Sequence, residues 1–160
     1  MYIVKDLNNL NNKSMRTFFE ATVRYARENE QGLLKNVSEK YLVDAVSHTE
    51  AEATVYDMLG SVIRGDFQIK RLVPANITDI FIYDDTDTFF KCRVSYIVAD
   101  EISGKEKKVN QNMLVTAGNV KEAYDRIHES LSNMLVSFTV PAISESPIIE
   151  VFLYEKGEEG

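Results

Sequence analysis

The chain holds a single cysteine, Cys92, among 160 residues, so it cannot close a disulfide on itself. It has no apolar run near the ~20 residues that a membrane-spanning helix needs. Its opening stretch, MYIVKDLNNLNNKSMR, lacks the continuous apolar core and small-residue cleavage site of a secretory signal. These absences point to the cytoplasm and away from a membrane. There is no GxGxxG and no GKS or GKT, so no glycine-rich loop is set to cradle a phosphate. CxxC pairs and a Ser/His/Asp set in a recognisable context are also missing. The expectation is a non-enzymatic protein with no catalytic residue, no metal and no cofactor.

Positive charge is in short supply. Lys and Arg number 18 against 25 Asp and Glu, for a net charge of −7. Residues 1–16 carry three basic groups against one acidic, residues 17–87 seven against thirteen, and residues 88–160 eight against eleven. An acidic body argues against broad attraction to phosphate, although it leaves room for a local basic groove. Without a basic amphipathic helix, a membrane surface is not an expected partner.

What is present is a repeat. TFFEATVRY at Thr17–Tyr25 returns as TFFKCRVSY at Thr88–Tyr96, with five of nine positions identical. Both stretches alternate with period two, as a half-buried strand does. Phe19, Ala21, Val23 and Tyr25 share one face, and Phe18, Glu20, Thr22 and Arg24 share the other. In the second stretch Phe90, Cys92, Val94 and Tyr96 form the inner face, and Phe89, Lys91, Arg93 and Ser95 the outer. A polar loop follows each stretch, at 26–36 and 99–108, and a returning strand follows each loop, at 37–46 and 109–117.

Helix signals come next. Ser47 and Glu50 make a capping box, and Asn119 and Glu122 repeat it 72 residues later. Ala51, Val55, Met58, Leu59 and Val62 are expected on the apolar stripe of the first helix, which Gly65 would end. Val120, Ala123, Tyr124, Ile127, Leu131 and Leu135 play that part in the second, expected to run to 135. Short strands at 67–73 and 77–83 follow the first helix, and their echoes lie around Val140 and Phe152.

The expected fold is therefore α+β: a tandem duplication of a β-β-α-β-β unit, with antiparallel sheets packed on two helices in pseudo-two-fold symmetry. The repeats span 17–87 and 88–155 and pack as one domain, because some 70 residues bury little core alone. Residues 1–16, rich in asparagine, are expected as a flexible arm, with Tyr2, Ile3 and Val4 pairing onto a sheet edge as the alternative. Residues 156–160 form an acidic tail. In a shifted frame, four strands and then a helix, the element order is similar to that of the Whirly and Pur-type single-stranded nucleic-acid binders, a likeness of order and not of motif.

TFFEATVRY, EKYLVDAVSHTEAEATVYDML and FFKCRVSYIVADEISGKEKKVNQNMLV resemble an uncharacterised family. It occurs in gut Bacteroidetes, their mobile elements and their large tailed phages. The resemblance covers most of 17–155 and implies a cytoplasmic, phage- or element-associated setting. It transfers no activity and no catalytic residue.

Candidate chemistry is sparse. His48 and His128 do not occupy corresponding places, and neither has an evident partner for general-base work. Cys92 lies in phase with Phe90 and Val94 where the first repeat has Ala21, which suits a small buried residue better than a nucleophile. Asp84, Asp85 and Asp87 lack the remainder of a calcium loop and read as solvated turn residues. The sharpest reading places Phe18 and Phe89 on the outer strand face beside Arg24, Lys91 and Arg93. There the rings would stack bases and the cations would meet phosphates. Lys105, Lys107 and Lys108, with Lys70 and Arg71, would extend the groove. Against it stands a plainer reading, in which the two rings are covered by the arm, the other repeat or a second subunit. The function expected is single-stranded nucleic-acid binding in phage or mobile-element DNA metabolism. The alternatives are an interaction protein that inhibits or adapts a host protein, and a small-ligand sponge. An exposed strand edge could also support a homo-oligomer.

Overall fold

The computed structural model describes residues 2–3 and 17–154, the first two by backbone alone. Among these residues lie nine strands and two helices. In chain order they are β1 (Tyr2–Ile3), β2 (Thr17–Glu28), β3 (Leu34–Ala45), α1 (His48–Gly60), β4 (Phe67–Pro74) and β5 (Asp79–Ile82). Then come β6 (Phe89–Ala99), β7 (Glu106–Thr116), α2 (Val120–Ser130), β8 (Phe138–Glu145) and β9 (Ile148–Phe152). The order β-β-α-β-β thus occurs twice, in a mixed α+β fold with two antiparallel-rich sheets.

The long hairpins form because each strand alternates apolar and polar residues and each tip has turn chemistry. Asn29 Oδ1 accepts from the backbone N–H of Gln31 and Leu33, both at 2.9 Å, and Gly32 takes a φ of +78° that a side chain would resist. In the second hairpin Asp100 accepts from Ile102 and Ser103, and Gly104 takes φ +69°. Those backbone bonds hold the Asp100 carboxyl below its ordinary range. The strands reach further toward the tips than expected, to Glu28 and Ala99, because backbone pairing outlasts the apolar pattern.

Both expected capping boxes form. The Glu50 N–H donates to Ser47 Oγ (3.1 Å), and the Glu50 carboxylate accepts from the Val46 N–H (2.9 Å). Asn119 and Glu122 repeat the arrangement, with Glu122 reaching the Gly118 N–H. The helices are shorter than expected. α1 stops at Gly60, and Gly65 with its positive φ lies in the loop beyond. α2 stops at Ser130. The buried stripes are correspondingly narrow, Ala51, Val55 and Leu59 on α1 and Ala123 and Ile127 on α2. Met58, Val62, Val120, Tyr124 and Leu135 are exposed, against expectation.

The compact units do not follow the expected boundaries at 17–87 and 88–155. One unit is built from β1, β5, β6, β7, α2 and β8, and the other from β2, β3, α1, β4 and β9. The chain leaves one unit after Ala75 and returns after Ser146. Each run therefore gives its last strand away. β5 pairs parallel with β7, and β9 pairs parallel with β3. Each delivers a phenylalanine to the receiving core. Phe81 joins Phe90, Cys92, Val94, Met113, Val115, Ala123 and Ile127, while Phe152 joins Phe19, Ala21, Val23, Tyr41, Val43, Ala51 and Val55. Phe152 stacks on Tyr41 with ring centroids 5.3 Å apart. Burying such a ring contributes about 2–3 kcal/mol. At the crossings the Ala75 N–H donates to the Phe18 carbonyl (2.7 Å) and the Ser146 N–H to the Phe89 carbonyl (2.8 Å).

The start of the chain is also a correction. Tyr2–Ile3 pairs antiparallel with Phe81 and Ile82 as an edge strand, which was the alternative to an arm. The rest of the expected arm and the tail at 156–160 lie outside the described residues. No helix among the described residues is long and apolar enough to cross a membrane.

Candidate anion site on the outer face of a sheet

β6 is the central carrier of the site. Its inner residues Phe90, Cys92 and Val94 face α2 in the core, so Lys91 and Arg93 fall on the opposite face. Lys91 stands between Leu114 of β7 and Ser144 of β8, and Arg93 between Asn112 and Ala142. Together with Asn76 and Asn110 they line a cleft of about 420 Å³. Among the described residues the lining contains two cations, three amides and one hydroxyl, and no carboxylate. That is a local inversion of charge on a chain of net charge −7. Neither Lys91 nor Arg93 is ion-paired among the described residues. The Ser95 hydroxyl donates to Asn110 Oδ1 (2.5 Å), and no acceptor among the described residues takes the N–H donors of that amide. An array of charged and neutral donors without a carboxylate among the described lining residues is suited to an anion.

At the corresponding place in the first run, Glu20 stands where Lys91 does, and Lys40 where Asn112 does. There Lys40 Nζ donates to Glu20 Oε1 at 3.0 Å, and the charges cancel.

The aromatic part of the expected site is overturned. Phe18 is 0% and Phe89 5% exposed, so neither ring can receive a base. Both lie on the face away from the helix, as the alternation requires. That face also carries buried Leu42, Leu114, Ile80 and Ile148, so this end of each sheet buries apolar residues on both faces. The burial is complete within one chain and needs no second subunit.

The cations are dispersed. Arg24 is exposed, but on β2 of the other unit, in a cleft that also holds Asp66. Lys70 and Arg71 are exposed on β4, in that same unit. Lys108 lies opposite Ile97 and shares the face of Lys91 and Arg93. Lys107, one residue earlier, falls on the reverse face. With Lys105 it lines a separate cleft that also contains Asp100 and Glu106. Of the eight expected residues, the structure brings together Lys91 and Arg93, with Lys108 further along the row. Asn76, Asn110, Asn112 and Ser144 were missed. Hairpin register was the available signal for two of them, because a tip at 100–105 sets Asn112 opposite Arg93 and Asn110 opposite Ser95.

The other candidates have structural surroundings. Cys92 is fully buried, and burial pushes its thiol up to about 12, which keeps it protonated and unreactive at neutral pH. Arg126 Nη2 donates to both carboxylate oxygens of Asp85, each at 2.8 Å. His128 lies between Tyr124, tilted against it at 4.3 Å, and Phe138, stacked on it at 5.3 Å. Burial foremost, and then the hydrogen bond to Glu39, raise the Tyr41 hydroxyl far above its ordinary range. No group of three His, Cys, Asp or Glu among the described residues is close enough to hold a metal.

The architecture is that of a mixed α+β protein whose two sheets each carry a helix on one face, with a donor-rich cleft on the other face of one sheet. The chain belongs to the family described as Domain of unknown function (DUF4494), whose model matches residues 17–154. No curated protein and no solved structure matches it.

Proposed function

We propose that this chain binds single-stranded nucleic acid on the outer face of β6, β7 and β8, with phosphates at Lys91 and Arg93 and a further cation at Lys108. The observation that carries the reading is the cleft that, among the described residues, gathers two cations without ion-pair partners, three amides and a hydroxyl, and no carboxylate. Donors of this kind neutralise and hydrogen-bond phosphate oxygens. A strand's face is a natural track for an extended polymer. From Lys91 to Ile97 the row covers six residues, about 20 Å at the rise of a strand.

The two β-β-α-β-β runs are, in this proposal, copies of one ancestral unit, and the second copy has become the binding one. Five identities in nine, cap pairs 72 residues apart and crossing bonds at Phe18 and Phe89 support that descent. The first copy holds a neutral Glu20–Lys40 pair where the second presents cations. The cytoplasmic, phage or mobile-element setting belongs to the same proposal, and rests on the family resemblance alone.

The test is fluorescence anisotropy of labelled oligo-dT at low salt. Binding that weakens steeply as salt is added supports the reading. No change in anisotropy ends it, and would turn attention to a protein partner.

A further inference from the structure

Next to the donor-rich cleft lies a second one of a different character. It is about 600 Å³ and is walled by Tyr96, Ile97, Val136 and Phe138, with Lys108 and hydroxyl side chains completing it. Tyr96 and Phe138 are direct partners across β6 and β8, and by the alternation they reach the cleft from the helix side of the sheet, where Phe138 also stacks on His128. Ile97 and Val136 are exposed, at 57% and 45%. The two clefts meet at the Ser95–Asn110 hydrogen bond, since Ser95 lines the apolar cleft and Asn110 the polar one.

We infer that this apolar cleft is the base-accepting subsite for the same strand whose phosphates meet Lys91 and Arg93. The inference rests on the nucleic-acid reading above. A flat apolar body beside an anion is the chemistry of a nucleotide, and the adjoining clefts present that pair in order along one strand. Phe18 and Phe89 are closed to bases, so base contact falls to this cleft at the other end of the hairpin, where exposed Ile97 shares the face of Lys91 and Arg93. Lys108 lies opposite Ile97 and places a cation at the apolar cleft, where the next phosphate would pass. A fatty acyl chain would need only the apolar cleft, and a free phosphate only the polar one. A nucleic acid strand uses both.

The experiment compares the full chain binding labelled oligo-dT with an abasic strand of the same length and backbone. Oligo-dT should bind about tenfold or more tightly than the abasic strand. The variant Ile97→Ser with Val136→Ser removes only exposed apolar surface, so folding should survive. It should lower oligo-dT affinity about tenfold and leave abasic binding unchanged. The chain has no tryptophan, so Tyr96→Trp adds a single reporter, which oligo-dT should quench and the abasic strand should not. Equal affinity for the two strands, or equal losses on both in the serine variant, overturns the base subsite while leaving phosphate binding in place. An unquenched reporter with oligo-dT bound overturns it as well. Failure of both strands to bind at low salt overturns the nucleic-acid reading itself, and the subsite with it.

Discussion

Lys40 Nζ donates to Glu20 Oε1 across 3.0 Å, and this pair occupies the place that Asn112 and Lys91 take in the second hairpin. Both side chains of the pair are partly exposed, so it contributes under about 1 kcal/mol of stability. Its weight lies in charge. It cancels the charge at that place on the outer face of β2 and β3, with Arg24 further along the strand, whereas the outer face of β6 and β7 keeps Lys91 and Arg93 side by side without ion-pair partners among the described residues. A site argued from composition alone would be symmetric, and the register makes it one-sided.

Phe89 serves the core. Phe89→Ala should cost about 3–5 kcal/mol in denaturant unfolding, as a fully buried ring does. Phe90→Ala, on the inner face, should cost a similar amount. At temperatures where both variants stay folded, neither should change oligo-dT affinity. A selective loss of binding in Phe89→Ala at unchanged stability would return the ring to the site.

Arg126 ties the β5–β6 turn to α2. Its guanidinium donates through Nη2 to both Asp85 oxygens and through Nη1 to Thr86 Oγ1 (2.7 Å) and the Thr116 carbonyl (3.0 Å), and lies 4.4 Å from the Tyr83 ring centroid. Its side chain is only 12% exposed. Arg126→Met should therefore destabilise by about 2 kcal/mol, read as a lower urea midpoint at unchanged slope. Asp84→Asn, an exposed neighbour in the same acidic turn, should change stability by less than about 0.5 kcal/mol.

Cys92 supplies a pH signature. Its thiol is held up to about 12 in the native state by burial, against an ordinary value of 9.0. The unfolded chain therefore loses its thiol proton first as pH rises. The stability linked to this group is fully present below pH 9 and is lost between about 9 and about 12. Cys92→Ala, which installs the residue that Ala21 represents in the first hairpin, should make the alkaline fall in stability shallower. Thiol reagents should modify the native protein at neutral pH far more slowly than the urea-unfolded chain.

Local structure was legible where local chemistry decides it. Ser47 and Asn119 announced both helix starts, and the alternation of Phe19, Ala21 and Val23 assigned the inner face of β2 correctly. Alternation tells the two faces apart without telling what covers either, so Phe18 and Phe89 read as outward and proved buried. The exchange of β5 and β9 was illegible for a related reason. Parallel pairing with β7 and β3 joins segments far apart in sequence, and nothing in DIFI or IIEVF names the partner. The site was half legible. Lys91 and Arg93 stood out as charge changes against Glu20 and Thr22. Asn76 and Ser144 reach the cleft only through tertiary placement.

The central claim is that phosphates are met at Lys91 and Arg93 on the second hairpin. It is tested most directly by the salt dependence of oligo-dT binding in Lys91→Gln with Arg93→Gln, beside Lys105→Gln with Lys107→Gln as a matched loss of charge on another face. The plot of log affinity against log salt concentration should flatten by about 1.4 for the first variant, two phosphate contacts at ~0.7 each, and hold its slope for the second. An unchanged slope in the first variant, or the same flattening in both, would contradict the account.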